Sequence, residues 1–287
     1  MEGVQSALAW AVLTLSQKQV DSPRLTAELL LGHVLGWERV RVVAHPEAPL
    51  SSEVMSRFAG LILRRAAGEP LQYIIGEQEF YGLPFRVTPA VLIPRPETEI
   101  LVERAVLAVR ASGARALRFV DVGTGSGCIA VSFAHEVSEA SGWAADISIE
   151  ALAVARENAA RNGVQGRLGF LLCDLLECFA PGPRFDLVLS NPPYVATGDA
   201  TALPAVVREH EPEVALYSGP TGLDIYRRLI PQAAERLAPG GYLVLELGAG
   251  MSGKVSGMAE QAGLTVETIA GDLQGIPRCM MARRGNG

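Results

Sequence analysis

"FVDVGTGSGCIAVSFA", residues 119–134, sets Gly123, Gly125 and Gly127 between an apolar run and a helix-like segment. Glycines in such a turn allow positive φ and let a ligand approach bare backbone beside a helix N-terminus. The run Leu117–Val122 reads as a buried strand and Gly127–His135 as the helix behind it. The same alternation continues downstream. Gly142–Asp146 is a strand, Ile149–Asn162 a helix, and Leu168–Leu172 and Phe185–Ser190 are further strands. Leu223–Leu237 is a helix, Gly241–Leu247 a strand, Lys254–Ala262 a helix, and Leu264–Ile269 and Cys279–Arg283 two closing strands. The rhythm predicts an α/β fold with a mostly parallel, doubly wound sheet.

Upstream the pattern is helical. Val4, Leu8, Val12 and Leu15 recur at helical spacing, and Asp21-Ser22-Pro23 caps a second helix with Leu25, Leu29 and Leu30 on its apolar face. Ser51-Ser52 opens a third, carrying Val54, Phe58, Leu61 and Ile62, which ends at Gly68-Glu69-Pro70. "LQYIIGEQEFYGLPFRV", residues 71–87, alternates aromatic and apolar residues around Gly76 and Gly82 as a β-hairpin does. A proline-stiffened segment follows, then a helix opened by Pro96 and Glu97. We expect residues 1–70 to form a helical packing or partner-recognition domain, 71–99 a β-hairpin linker, and 100–287 the α/β domain.

The chain of 287 residues is 49% hydrophobic with a formal net charge of −6, which argues against a protein that coats nucleic acid. Residues 1–80 hold seven Lys/Arg against nine Asp/Glu, so the helical part has no basic excess. Glu2, Gln5, Ser6 and Lys18 make the first helix neither a signal peptide nor a span, and no apolar run is long enough for a bilayer. The expected setting is the cytoplasm, without membrane contact. Cys128, Cys173, Cys178 and Cys279 lack metal-site spacing and are expected to be reduced, mostly buried thiols, and no metal is expected. The four histidines are scattered, and no Ser/His/Asp or Cys/His constellation offers itself.

Gly125-x-Gly127-x-x-Ala130 satisfies a dinucleotide pattern, but Asp121-x-Gly123-x-Gly125-x-Gly127 begins earlier, with an acid at the strand end. That acid repels a pyrophosphate and suits a cationic amino group. The loop resembles motif I of class I S-adenosylmethionine methyltransferases, which favours S-adenosylmethionine over NAD. Asp146 ends the next strand where ribose-binding acids sit, and Asp174 ends the strand after that.

"SNPPYV", residues 190–195, then stops a buried-looking strand with two prolines. The Asn191 side-chain oxygen and the Pro192 carbonyl offer two acceptors for the hydrogens of a planar –NH₂ group. Tyr194 offers a flat face on which such a group stacks. This orients a poorly nucleophilic nitrogen for methyl transfer.

The chain resembles the peptide chain release factor glutamine N5-methyltransferases, the HemK or PrmC family, along nearly its whole length. Matching stretches are Tyr73–Gly76, Glu79–Gly82, the linker "LIPRPETE" at 92–99, the glycine loop and Asn191-Pro192-Pro193-Tyr194. Glu211-Pro212 with Ala215-Leu216, Gly222-Leu223-Asp224 and Asp272-Leu273-x-Gly275-x-x-Arg278 match as well. "IPRPETE" discriminates best, because other amino-methyltransferases share the NPPY turn.

The resemblance implies a Rossmann-like class I methyltransferase domain that methylates the glutamine of the Gly-Gly-Gln motif in class 1 release factors. The N-terminal helices would help dock that protein. By position, Gly123, Thr124, Gly125, Ser126 and Gly127 would hold S-adenosylmethionine and Asp146 its ribose. Asp174 and Leu175 would border the adenine, and Asn191, Pro192, Pro193 and Tyr194 would hold the glutamine. Leu175 falls where relatives often carry an aromatic residue, which implies weaker stacking. Arg95 and Glu97 fit both a crevice wall and a helix cap. The rival within methyltransferases acts on the exocyclic amine of adenine or guanine in nucleic acid. The acidic balance and the linker motif weigh against it. A non-enzymatic ribosome-associated module leaves the intact site unexplained, and a dehydrogenase leaves the NPPY turn unexplained.

Overall fold

The computed structural model describes residues 3–112 and 116–286. They form two compact units, Met1–Gly76 with Pro204–His210, and Glu77–Leu203 with Glu211–Gly287. Among the described residues no helix is long and apolar enough to cross a membrane.

The first unit holds α1 (Val4–Gln17), α2 (Pro23–Leu35), α3 (Arg39–Ala44), α4 (Ser52–Ala66) and α5 (Leu71–Ile75). Val4, Leu8, Leu15, Leu30, Leu31, Phe58 and Ile62 meet in one core. Each such burial contributes about 1.5–3 kcal/mol. The Ser51 hydroxyl caps α4, accepting from the Val54 N–H at 3.2 Å. Ser22 precedes α2 without a side-chain cap, so Pro23, with its pre-set φ, starts that helix alone. Leu71–Ile75 is a helix rather than the first limb of a hairpin. Gly76 ends it in the left-handed region at φ +81°, its N–H on the Gln72 carbonyl at 2.7 Å.

In the second unit the hairpin is β1 (Glu77–Phe80) paired with β2 (Leu83–Arg86). A 3₁₀ turn at Pro96–Thr98 leads into α6 (Glu99–Ser112). Next come β3 (Arg118–Val122), α7 (Cys128–Glu136), β4 (Ser141–Asp146), α8 (Ile149–Arg161), β5 (Leu168–Leu172) and β6 (Phe185–Ser190). After α9 (Ala205–His210), which belongs to the first unit, follow α10 (Glu213–Leu216), α11 (Asp224–Arg236), β7 (Leu237–Glu246), α12 (Ser252–Gln261), β8 (Leu264–Gly271) and β9 (Pro277–Arg284).

The seven-stranded sheet runs β5-β4-β3-β6-β7-β9-β8, parallel except for β9, which opposes both its neighbours. Alternation along β3 covers both faces. Phe119 packs edge-on to Phe133 of α7 at 4.9 Å between ring centroids, whereas Val120 and Val122 join Tyr226, Leu229 and Ile230 of α11. This is the doubly wound arrangement the sequence predicts. Strand β7 starts earlier than expected, because Leu237 already pairs with Phe185 before the register shifts to Tyr242 opposite Leu187.

Cys173 and Cys178, expected as separate thiols, form a disulfide, their Cα atoms 5.8 Å apart across the turn after β5. A five-residue step is short in sequence, but the chain doubles back there. Cys128 and Cys279 are free and buried, and burial pushes both thiols up to about 12.

Candidate active site

The strand order reverses direction at β3, with β4 and β5 on one side and β6 and β7 on the other. Ligand crevices open at the carboxyl ends of such switch points. Register pairs Asp121 with Leu189, so Gly123 and Asn191 each stand two residues beyond the last pair, on adjacent strands. The Ser190 hydroxyl donates to the Val122 carbonyl at 2.7 Å and ties the two turns together.

The three glycines differ in purpose. Gly123 (φ +69°) and Gly125 (φ +54°) are left-handed, and a Cβ on either would point into open space. Gly127 is also left-handed, but a Cβ there would come within 3.0–3.1 Å of Ala155 on α8. The first two leave room for a ligand and the third lets two helices approach. The loop is pinned by Gly123 and Thr124 N–H groups donating to the Ala145 carbonyl at 2.9 and 3.0 Å.

Three acids follow the strand ends. Asp146 accepts from the Gly125 N–H through Oδ2 at 2.8 Å and from the Ser148 N–H through Oδ1 at 2.9 Å. Burial raises its pKa against the pull of these bonds. Asp121 lies fully buried, its Oδ2 accepting from the Thr124 hydroxyl at 2.6 Å and the Ala130 N–H at 3.2 Å. Its Oδ1 has no partner among the described residues. Burial lifts this carboxyl to about 7. Asp174 is more open and pairs with Arg228 at 2.7 Å.

One cavity joins these groups. Gly123, Thr124, Gly125, Ser126, Asp146, Asp174 and Leu175 line it, as do Asn191 and Pro193. Asp121 and Gly127 sit behind the loop, and buried Pro192 and half-buried Tyr194 stand behind Asn191 rather than in the wall. Sequence reasoning missed Arg228, Ile225, Pro212, Val214, Ala215 and Thr98, all of which do line it. Arg95 lines it as well, while Glu97 does not. Arg95 reaches buried Glu211 at 2.5 Å, and the other Glu211 oxygen accepts from the Ile93 N–H at 3.2 Å. That clasp explains the pairing of "IPRPETE" with Glu211-Pro212.

Behind Asn191 lies a buried polar chain. The Asn191 Nδ2 donates to Thr98 Oγ1 at 3.1 Å, and Thr98 Oγ1 donates to Glu246 Oε2 at 2.6 Å. The Tyr194 hydroxyl donates to Glu246 Oε1 at 3.3 Å. Burial raises Glu246 to about 7 and keeps the Tyr194 hydroxyl protonated well above the usual tyrosine range. An acid ending the strand beside the NPPY strand was the available sequence signal for Glu246.

Known proteins resemble this chain in sequence and in fold. Residues 6–76 match the PrmC N-terminal domain and residues 98–209 the methyltransferase small domain. The release factor glutamine methyltransferase of Bradyrhizobium diazoefficiens is 42% identical over 99% of this chain and 95% of its own length. Its counterpart in Moorella thermoacetica is 45% identical over 98% of each chain. The crystal structure of a methyltransferase from Pyrococcus furiosus, 18% identical, superposes with a TM-score of 0.51 over 80% of this chain and 99% of that one, and shares the fold. The chain therefore belongs to the family of release factor glutamine methyltransferases.

Proposed function

We propose that the chain transfers the methyl group of S-adenosylmethionine to the side-chain amide nitrogen of the glutamine in the Gly-Gly-Gln motif of class 1 release factors, in the cytoplasm. The observation that carries this reading is Asn191. It stands in the wall of the cavity that starts at the glycine loop, with Nδ2 engaged by Thr98 and no bond to Oδ1 among the described residues.

The residues present fit such a cofactor. The unpartnered Oδ1 of Asp121 is a buried acceptor awaiting a cation, and the space above Gly123 and Gly125 would be narrowed by any Cβ. In this reading residues 123–127 cradle the cofactor, with Asp121 supplying negative charge to its amino group. Asp146 takes the ribose hydroxyls, and Asp174 and Leu175 border the adenine. When bound, the cofactor supplies an electrophilic methyl group on a sulfonium.

The chain's own work is to hold a weak nucleophile. Asn191 Oδ1 and the Pro192 carbonyl accept the two amide hydrogens, which orients the nitrogen and favours its pyramidal form. Pro193 narrows the slot, and Tyr194, tethered through its hydroxyl behind Asn191, is the ring that would meet the planar amide once the substrate enters. The proton leaves for water after transfer.

The test is transfer of labelled methyl from S-adenosylmethionine to a purified release factor. Replacing the motif glutamine by alanine abolishes incorporation. Labelling of nucleic acid in place of the release factor would overturn the assignment.

A further inference from the structure

We propose that Thr98 and Glu246 are positioning residues that decide which end of the Asn191 amide faces the substrate. This rests on the glutamine-amide reading above.

A threonine hydroxyl has one hydrogen to give and lone pairs to receive with. At 2.6 Å from Glu246 Oε2, Thr98 spends that hydrogen on the carboxylate, so toward Asn191 it can only accept. The Asn191 –NH₂ group therefore turns to Thr98, and Oδ1 turns away. A half-turn of the amide would set Oδ1 against Thr98 Oγ1 with no hydrogen between them, and would offer two donors to a substrate that itself brings two donors. An isolated asparagine has no such preference. The carboxylate of Glu246 supplies it through one intervening hydroxyl.

The same carboxylate holds Tyr194 through its second oxygen. Two side chains of the NPPY turn are thus referenced to one group from the end of β7, and Thr98 comes from the turn before α6. Three separate chain segments meet in four side chains, all but Tyr194 and Asn191 nearly inaccessible.

The polarity depends on the charge of Glu246. A proton on Oε2 would be donated to Thr98, freeing the threonine hydrogen for Asn191 Oδ1 and reversing the chain. Glu97 from the 3₁₀ turn, Arg278 and Cys279 of β9, Tyr226 of α11 and Cys128 of α7 also face this carboxyl, beside Tyr194. The thiols of Cys128 and Cys279 and the phenols of Tyr226 and Tyr194 stay protonated through the neutral range, because burial raises all four. Glu246 thus titrates in a range that burial has moved close to neutral.

The experiment uses the full chain, a release factor and saturating S-adenosylmethionine. Thr98→Val lowers kcat about tenfold, the worth of one hydrogen bond, with cofactor affinity unchanged. Thr98→Ser, which keeps the hydroxyl, restores turnover. Wild-type kcat falls on the acid side of neutrality, and Glu246→Gln removes that limb. A Thr98→Val enzyme with wild-type kcat overturns the relay while leaving the parent reading intact. A Thr98→Ser enzyme as slow as Thr98→Val, or an acid limb that survives in Glu246→Gln, overturns it as well. A wild-type chain that leaves the release factor unmethylated sinks both readings, before any variant is needed.

Discussion

Replacing Asp121 by asparagine separates the demands of folding from those of cofactor binding. Asparagine keeps an oxygen for the Thr124 hydroxyl and the Ala130 N–H but carries no charge. The carboxyl rises from 3.8 in the unfolded chain to about 7 in the folded one, chiefly by desolvation. The folded state therefore binds the proton more tightly, and stability falls as pH rises between those two values. Three units correspond to about 4 kcal/mol at full ionisation, of which roughly 3 kcal/mol develops between pH 5 and pH 8. The Asp121→Asn chain avoids this loss. Without cofactor, its stability relative to wild type should improve by that amount from pH 5 to pH 8, read by urea unfolding at each pH. With S-adenosylmethionine present the order should reverse, because wild type regains the energy by placing a cation beside the carboxylate. A wild-type-to-variant difference that stays constant from pH 5 to pH 8 would refute the reasoning.

Three further outcomes follow from the same geometry. Asn191→Ala should leave S-adenosylmethionine affinity within about twofold by calorimetry and lower kcat by about a hundredfold, as expected for a lost oriented acceptor. Loss of cofactor binding would reassign Asn191 to the cofactor. Gly127→Ala should cost about 2 kcal/mol or more in thermal unfolding, since it adds left-handed strain to a clash with Ala155, whereas Gly125→Ala should cost about 1 kcal/mol and chiefly weaken cofactor binding. Equal effects at the two positions would contradict their separate roles. Arg95→Met strands the Glu211 carboxylate, whose side chain is 2% exposed, and should destabilise the fold by about 3–5 kcal/mol, with Glu211→Gln in the same background recovering part of it.

The sheet was legible because its strands are short apolar runs bounded by turn residues. Leu168–Leu172 and Phe185–Ser190 fall where the sequence places them. The glycine loop and the NPPY turn were legible because few chemistries need those residues at strand ends. The helices α3, α5, α9 and α10 were not, since four to six residues give too few turns for a periodicity. Tyr73 and Ile74 are adjacent and both buried, a pattern a short helix and a buried strand share. Thr98 and Glu246 escaped for another reason. They lie 148 residues apart and become one hydrogen-bonded unit only through the sheet order, which no local pattern reveals. The Cys173–Cys178 bridge was not legible, because its closure depends on the turn that Leu175 makes at φ +53°.

The first unit is discontinuous, taking residues 204–210 from a point far along the chain. His210 stands against Gly68, where a Cβ would lie 3.4 Å from its ring. During synthesis, residue 76 leaves the ribosome long before residue 210 exists. At 5–20 residues per second the 134 residues between them take roughly 7 to 27 seconds. Throughout it the helical unit has its whole core but lacks its last surface helix, while the sheet is already being laid down. A fragment cut after Gly76 keeps every core residue of the unit, from Val4 to Ile74, and loses only a short helix that buries none of its own residues. Residues 204–210 are therefore a late addition to the surface of a unit whose core is already complete.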